Sequence, residues 1–302
     1  MQRSLHAAIP FVLVALLGVA CGPAGASPTT TALTTTTTAA TTTTAAPILP
    51  PPPPMSQPAT TQPAQQSFDP ANPPRFVHHN FIDLSMIAMI SKFRSGVGHD
   101  FSQGTGETCR SMKHYLEPVG IDDAFWQKLR AGQAKPEDWP QVGYFAPVDG
   151  EVVDMRQATD AFGEPEVQFM FQSVEYPQVS FLFFHVRAVD GLAVGSRFTA
   201  GEPLGTVAGG SSGEIGVSLI VDHHETLVSF FELVDDDVFA EYQARGVESI
   251  SELIISREER DANPLQCEPG SDHGRFIANS STTDKAEYDQ WSMGPDNWVF
   301  LH

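Results

Sequence analysis

Basic residues are scarce in this chain of 302 residues: 17 Lys and Arg stand against 37 Asp and Glu, for a formal net charge of −20. An acidic excess of this size removes the attraction that nucleic acid or an anionic lipid face would need, and both are excluded as partners by charge. Cationic and metal-dependent partners stay open, and the same charge keeps an exported protein soluble. Cysteine is equally sparse, with three residues and no Cys-x-x-Cys pair, so a strong structural-zinc pattern is missing. The apolar run at residues 7–19 is thirteen residues long, short of the roughly 20 needed to cross a bilayer. No Ser-His-Asp order and no solenoid repeat stands out. The glycine-rich turn at 209–214 lacks the lysine of a phosphate-binding loop.

What is present at the N-terminus reads as an export signal. Arg3 gives a positive start, the short apolar run follows, and the small residues Gly18, Val19 and Ala20 lead to Cys21. The stretch from Leu17 to Cys21 resembles a bacterial lipoprotein lipobox, with Gly18 where leucine is usual. That resemblance implies a signal at 1–20, lipidation of Cys21, and a protein exported and lipid-anchored to the bacterial cell envelope. Residues 21–75 then read as a Thr/Pro-rich stalk with almost nothing apolar to bury, which cannot offset its ordering entropy. Such a tether reaches on the order of 100 Å.

The remainder is long enough for one substantial core. Residues 81–90 are apolar and fit either a helix or a buried strand, and 91–102 read as a glycine-rich loop. Helices are expected at 122–131, at 235–245 with Gly246 as its stop, and at 249–260. Between 144 and 221, short apolar runs alternate with Gly- and Pro-marked turns, the signature of a small antiparallel sheet. The fold class is therefore mainly β with added helices: a β domain at 76–228 and a helical, irregular C-terminal cap at 229–302. Residues 298–301 are expected to return as an edge strand or anchor. In an oxidising compartment, Cys109 and Cys267 suggest one disulfide; a Cys/His metal site using Cys109 and His114 is the weaker alternative.

The β-core resembles the lysostaphin-type (LytM-like) zinc peptidoglycan endopeptidases over roughly residues 90–222. The resemblance lies in Ala146-Pro147-Val148-Asp149-Gly150-Glu151-Val152, in Phe184-His185-Val186, in Ala200-Gly201-Glu202-Pro203-Leu204-Gly205, and in the loop running through Gly98-His99-Asp100-Phe101. It implies a sheet core of the duplicated-hybrid-motif type. Carrier domains share the hairpin phrases but need a lysine on the turn, where this chain has Arg156 after Met155. In the family, zinc is held by a His, an Asp and the last His of a His-x-His pair, with two further histidines acting on water and oxyanion. Carried over, Asp100 falls on the aspartate and His185 on the catalytic histidine of the aromatic strand. The first histidine falls on Gly96, and the His-x-His pair falls on Ile215 and Val217.

A catalytic zinc needs three protein ligands and an open position, so the resemblance implies a scaffold without its usual chemistry. The expected function is a cell-envelope lipoprotein, non-catalytic, binding cell-wall peptide or a partner envelope protein, with no cofactor by preference. Two alternatives stand beside it. One is a divergent zinc metalloendopeptidase using His99, Asp100 and His185, with Arg94, Ser102 and His114 as further groove residues. The other is a purely structural envelope protein.

Overall fold

The computed structural model describes residues 68–69, 72–268, 274, 276–277 and 296–302. The expected signal at 1–20, the lipidation site Cys21 and the stalk up to residue 67 lie outside them. Thirteen strands follow in chain order: β1 (Ile87–Ser91), β2 (His114–Pro118), β3 (Gly143–Phe145), β4 (Gly150–Thr159), β5 (Pro165–Ser173), β6 (Val179–Ala188), β7 (Arg197–Phe198), β8 (Pro203–Val207), β9 (Gly213–Val221), β10 (His224–Val228), β11 (Gln266–Cys267), β12 (Phe276–Ile277) and β13 (Trp298–Phe300). Eleven of them form one antiparallel sheet with the main order β13-β1-β2-β9-β6-β5-β4-β7, and β11 with β12 forms a separate pair. The chain is mainly antiparallel β with few helices, as the alternation of apolar runs and turns predicts.

The period-2 alternation of a strand sorts β5, β6 and β9 into two faces. Phe181 and Phe183 of β6 pair with Val217 and Ile215 of β9, and all four are buried in the main hydrophobic cluster. Phe169 and Phe171 of β5 join them, with the Phe169 and Phe183 rings stacked at 5.0 Å. The opposite face carries Leu182, Phe184, Glu214 and Gly216. The alternation breaks at His185. Phe184 still pairs with Glu214, but Val186 pairs with Val207 and Val167, leaving His185 as the extra residue of a bulge at φ 52°. A bulge re-aims one side chain, here the imidazole.

Helix α1 (Asp123–Arg130) starts at Asp122, whose carboxylate accepts from the Phe125 amide; α2 (Asp236–Gln243) starts in the same way at Asp235, and Gly246 follows it at φ 93°. The single helix expected over 249–260 is instead two pieces: a 3-10 turn at Ile250–Leu253, then α3 (Arg257–Ala262). Ile254 is extended because it bridges to Phe93, and Ser256 caps a new start. Residues 81–90 resolve into a 3-10 turn, Leu84–Met86, followed by β1. Phe230, Phe231, Val238, Phe239, Tyr242 and Leu253 bury in the same cluster as the sheet. The last strand, β13, closes the sheet edge against β1. Cys109 and Cys267 are joined by a disulfide across 158 residues. In the chain-entropy account, a loop of that length stabilises by about 5 kcal/mol. Among the described residues no helix is long and apolar enough to cross a membrane.

Candidate functional site

The face of the sheet turned from the core carries a buried cation beside His99, one of the residues that the zinc alternative would use. Lys113 precedes β2 and is 2% exposed. Its Nζ donates to Glu214 Oε2 at 2.5 Å and lies 3.3 Å from His99 Nε2. Three rings surround it, with centroids at 4.2 Å for Phe184, 4.8 Å for Phe101 and 4.9 Å for Tyr115. A carboxylate, an imidazole nitrogen and three π-faces make an ammonium cage, and desolvation strengthens each of these attractions. His99 Nδ1 faces the carbonyl of Asp100 at 2.9 Å, so Nδ1 carries the proton and Nε2 is left to accept from Lys113. Gly98 is required beside this cage: a Cβ there would lie 1.9 Å from the Tyr115 hydroxyl, and its φ is +74°.

Glu214 links the ammonium to His185. Its Oε1 is 3.5 Å from His185 Nε2, and His185 Nδ1 bonds Glu166 Oε1 at 2.8 Å. Its own amide donates to the Tyr144 hydroxyl at 2.7 Å, and that hydroxyl donates to the Phe184 carbonyl. Burial alone would push the His185 imidazole down. The Glu166 hydrogen bond and the charges of Glu214 and Glu166 outweigh it, against Lys113, and raise the value. The result is a chain of alternating partners, Glu166–His185–Glu214–Lys113–His99, in which His185 is 30% exposed while Glu166, Glu214 and Lys113 are buried. A cavity of about 270 Å³ adjoins it, lined by Phe101, Phe184, Leu182 and Met170 together with Asp154 and Arg156.

The residues singled out from sequence disperse around this chain. Asp100 Oδ1 accepts from the Ser102 amide, the Ser102 hydroxyl and the Arg110 amide, so it organises its loop rather than facing His185. Ser102 is thereby spent on the same turn. Arg94 is paired with Glu107 through Nε at 2.8 Å and Nη2 at 2.9 Å. His114, expected in the groove, sits on the other side of the sheet: Nδ1 meets the Ser91 carbonyl and Nε2 the Ser229 hydroxyl, each at 2.8 Å. Burial pushes it down to about 4, so it is neutral. Ile215 and Val217, onto which the resemblance laid the His-x-His pair, point into the core. The β9 positions facing the cage are Glu214 and Gly216.

Tested for zinc, this donor set does not fit. Asp100 is engaged elsewhere, His99 Nε2 is occupied by Lys113, and His185 is held by carboxylates. Among the described residues no group of three or more His, Cys, Asp or Glu is placed to hold a metal. Sequence reasoning missed Lys113, Glu214, Glu166 and Tyr144. Lys113 carried one signal, a cation inside the apolar run Met112–Leu116 of a chain poor in basic residues.

Glu117 lies behind the cage, its Oε1 bonded to the Ser212 hydroxyl and its Oε2 without a hydrogen-bond partner among the described residues. Burial, opposed by the Ser212 bond and reinforced by the Glu214 charge, pushes its carboxyl from 4.5 up to about 7. The folded state therefore keeps a proton that the unfolded chain has already released. Its contribution to stability is complete below pH 4.5 and is lost as the pH rises to about 7. His185, also raised, has the same sign. Urea unfolding at pH 5 and pH 8 should show Glu117→Gln losing less stability over this interval than the parent, by on the order of 3 kcal/mol. An unchanged pH slope in that variant would place the dependence elsewhere.

No family model matches the chain, and no curated protein matches it. Among solved structures it is similar to a protein assigned as a glycyl-glycine endopeptidase, lytM, from Ruminococcus gnavus ATCC 29149, at 13% identity and a TM-score of 0.26. The likeness covers 49% of this chain and 59% of the other, so the chain spans less than two thirds of that protein's length.

Proposed function

We propose that the chain is a non-catalytic envelope protein that binds through the groove beside the Lys113 cage. It would be held to the membrane through lipidated Cys21, with cell-wall peptide or an envelope partner as its ligand. One observation carries the reading: the Lys113 ammonium already engages His99 Nε2 and the Glu214 carboxylate, donor groups that a metal in this groove would have to take. A divalent ion ligated there would face a fixed positive charge within a few ångströms. It would also have to take the imidazole lone pair that accepts from Lys113. The scaffold resemblance in the 146–152 and 184–186 segments supports the envelope setting.

Elemental analysis of the purified chain after zinc exposure and gel filtration should give substoichiometric zinc, with no cleavage of muropeptides. Stoichiometric zinc together with turnover lost in His185→Ala would reverse the assignment in favour of a divergent metalloendopeptidase.

A further inference from the structure

Lys113 and Glu214 are neighbours across the pairing of β2 with β9. Tyr115 stands opposite Glu214, and Lys113 lies two residues before Tyr115 on the same face. The two are 101 residues apart in sequence and both buried, at 2% and 8% exposure. Among the described ion pairs the other lysine, Lys135 with Glu137, is 70% exposed on each side and 3.8 Å from its partner. Two histidines set the buried pair apart from an ordinary ion pair. His99 Nε2 lies 3.3 Å from the ammonium, and the contact of its Nδ1 with the Asp100 carbonyl turns the Nε2 lone pair toward Lys113. On the far side of the carboxylate, His185 Nε2 is 3.5 Å from Oε1. Burial opposes charge on His185, but the Glu166 hydrogen bond and the Glu214 and Glu166 charges prevail, so this ring has a proton to give. A base thus stands at the amine and an acid at the carboxyl group.

We propose that Lys113 and Glu214 condense to an intramolecular amide that joins β2 covalently to β9. His99 Nε2 takes one proton from the ammonium, and the freed lone pair of Nζ attacks Glu214 Cδ. His185 protonates Oε1 of the tetrahedral adduct. The nitrogen passes its second proton to the same oxygen as the Cδ–Oε1 bond breaks, and Oε1 leaves as water. Oε2 becomes the amide carbonyl. The proton on His99 returns to His185 through solvent. Ammonium and carboxylate become amide and water, with no net change in protons and no co-reactant.

The surroundings favour the product. A buried ion pair carries a desolvation penalty that a neutral amide avoids. The new N–H keeps His99 Nε2 as its acceptor. The rings of Phe184, Phe101 and Tyr115 screen the bond from the water that would hydrolyse it. Free amine and acid condense poorly in water, but groups held in reacting geometry have effective concentrations of about 10⁵–10⁸ M. The cavity lined by Phe101 and Phe184 gives the released water a way out. The ion pair is the state before this step, and the charge-based stabilities at positions 113 and 214 belong to that state.

The test is the mass of the folded full chain, followed with time at neutral pH and mapped by proteolysis. The chain should become lighter, by one water, than its termini and disulfide require. Its digest should join the peptide carrying Lys113 to the peptide carrying Glu214, with Lys135 and Glu137 unlinked. Glu214→Gln should condense with loss of ammonia and reach the same final mass, because both routes end in the same amide. His99→Gln should slow the step by about a hundredfold or more with the far-ultraviolet sheet signal unchanged. Lys113→Arg should keep its full mass. The measurement on the unaltered chain decides by itself: a folded parent that retains its full mass overturns the proposal. A water loss that maps to other residues, or that persists in Lys113→Arg, overturns it equally. Either result leaves the zinc and muropeptide measurements on the groove unaffected.

Discussion

Replacing Lys113 with methionine should lower the stability of the folded chain by about 3–5 kcal/mol at neutral pH, the range for breaking a buried ion pair from one side. Methionine fills much of the space and still meets the three rings. What is lost is the charge opposite Glu214, a carboxylate 8% exposed whose Oε2 has lost its donor. For a domain of this size the melting temperature should fall by about 10 °C. Adding Glu214→Gln to the same chain should recover a good part of the loss, because the uncompensated charge and not the missing ammonium is the source of the penalty. A double-mutant cycle between the two positions measures that coupling directly. A Lys113→Met variant within about 1 kcal/mol of the parent would mean that Glu214 reaches water or a proton at little penalty. The cage would then not be held by charge.

Phe183→Ala should be of comparable size, about 3–5 kcal/mol. The ring is 1% exposed and lies where four aromatic neighbours meet. It stacks on Phe169 at 5.0 Å, takes Tyr144 edge-on at 5.5 Å, and has Phe81 and Phe171 at 6.4 and 6.5 Å. Strands from both sides pin the site, so it cannot collapse around the missing ring. Tyr144 links this loss to the cage, since its hydroxyl receives the Glu214 amide. The variant should therefore also change the environment of Lys113, which chemical shifts of its Nζ-bearing methylene would report. A drop below about 2 kcal/mol would indicate that the core refills from Phe81 or Phe169.

The sheet was legible because its signal is local. Turn residues and two-residue alternation over 144–221 are fixed by backbone stereochemistry, and they mark strands whatever those strands later pair with. The two capped helices were legible for the same reason: Asp122 and Asp235 satisfy amides within their own first turn. The helix expected over 249–260 failed because a distant residue, Phe93, draws Ile254 into an extended bridge. The site was hardest to read, because its geometry depends on parity and pairing. Laying a His-x-His pattern on Ile215 and Val217 instead of Glu214 and Gly216 is an offset of one residue, and it exchanges interior for groove. His114 and Lys113 differ in the same way: adjacent residues at the start of one strand, one neutral in the core, the other charged in the cage. The disulfide was the exception among long-range features, because two thiols left after Cys21 is set aside allow one pairing.

The strand order also dictates when the molecule can be finished. Among the described strands β2 has β1 and β9 as neighbours, with His114 opposite Ile215, and β1 is completed by β13, with Met89 opposite Phe300. Strand β1 therefore waits for residues 298–300, while the β4–β5–β6 meander can assemble from neighbours as soon as it emerges. Such remote pairings slow folding, since loop closure must precede any gain from contact. A nascent chain halted before residue 298 would keep one border of the β1 ribbon open, ready to recruit another unfinished copy.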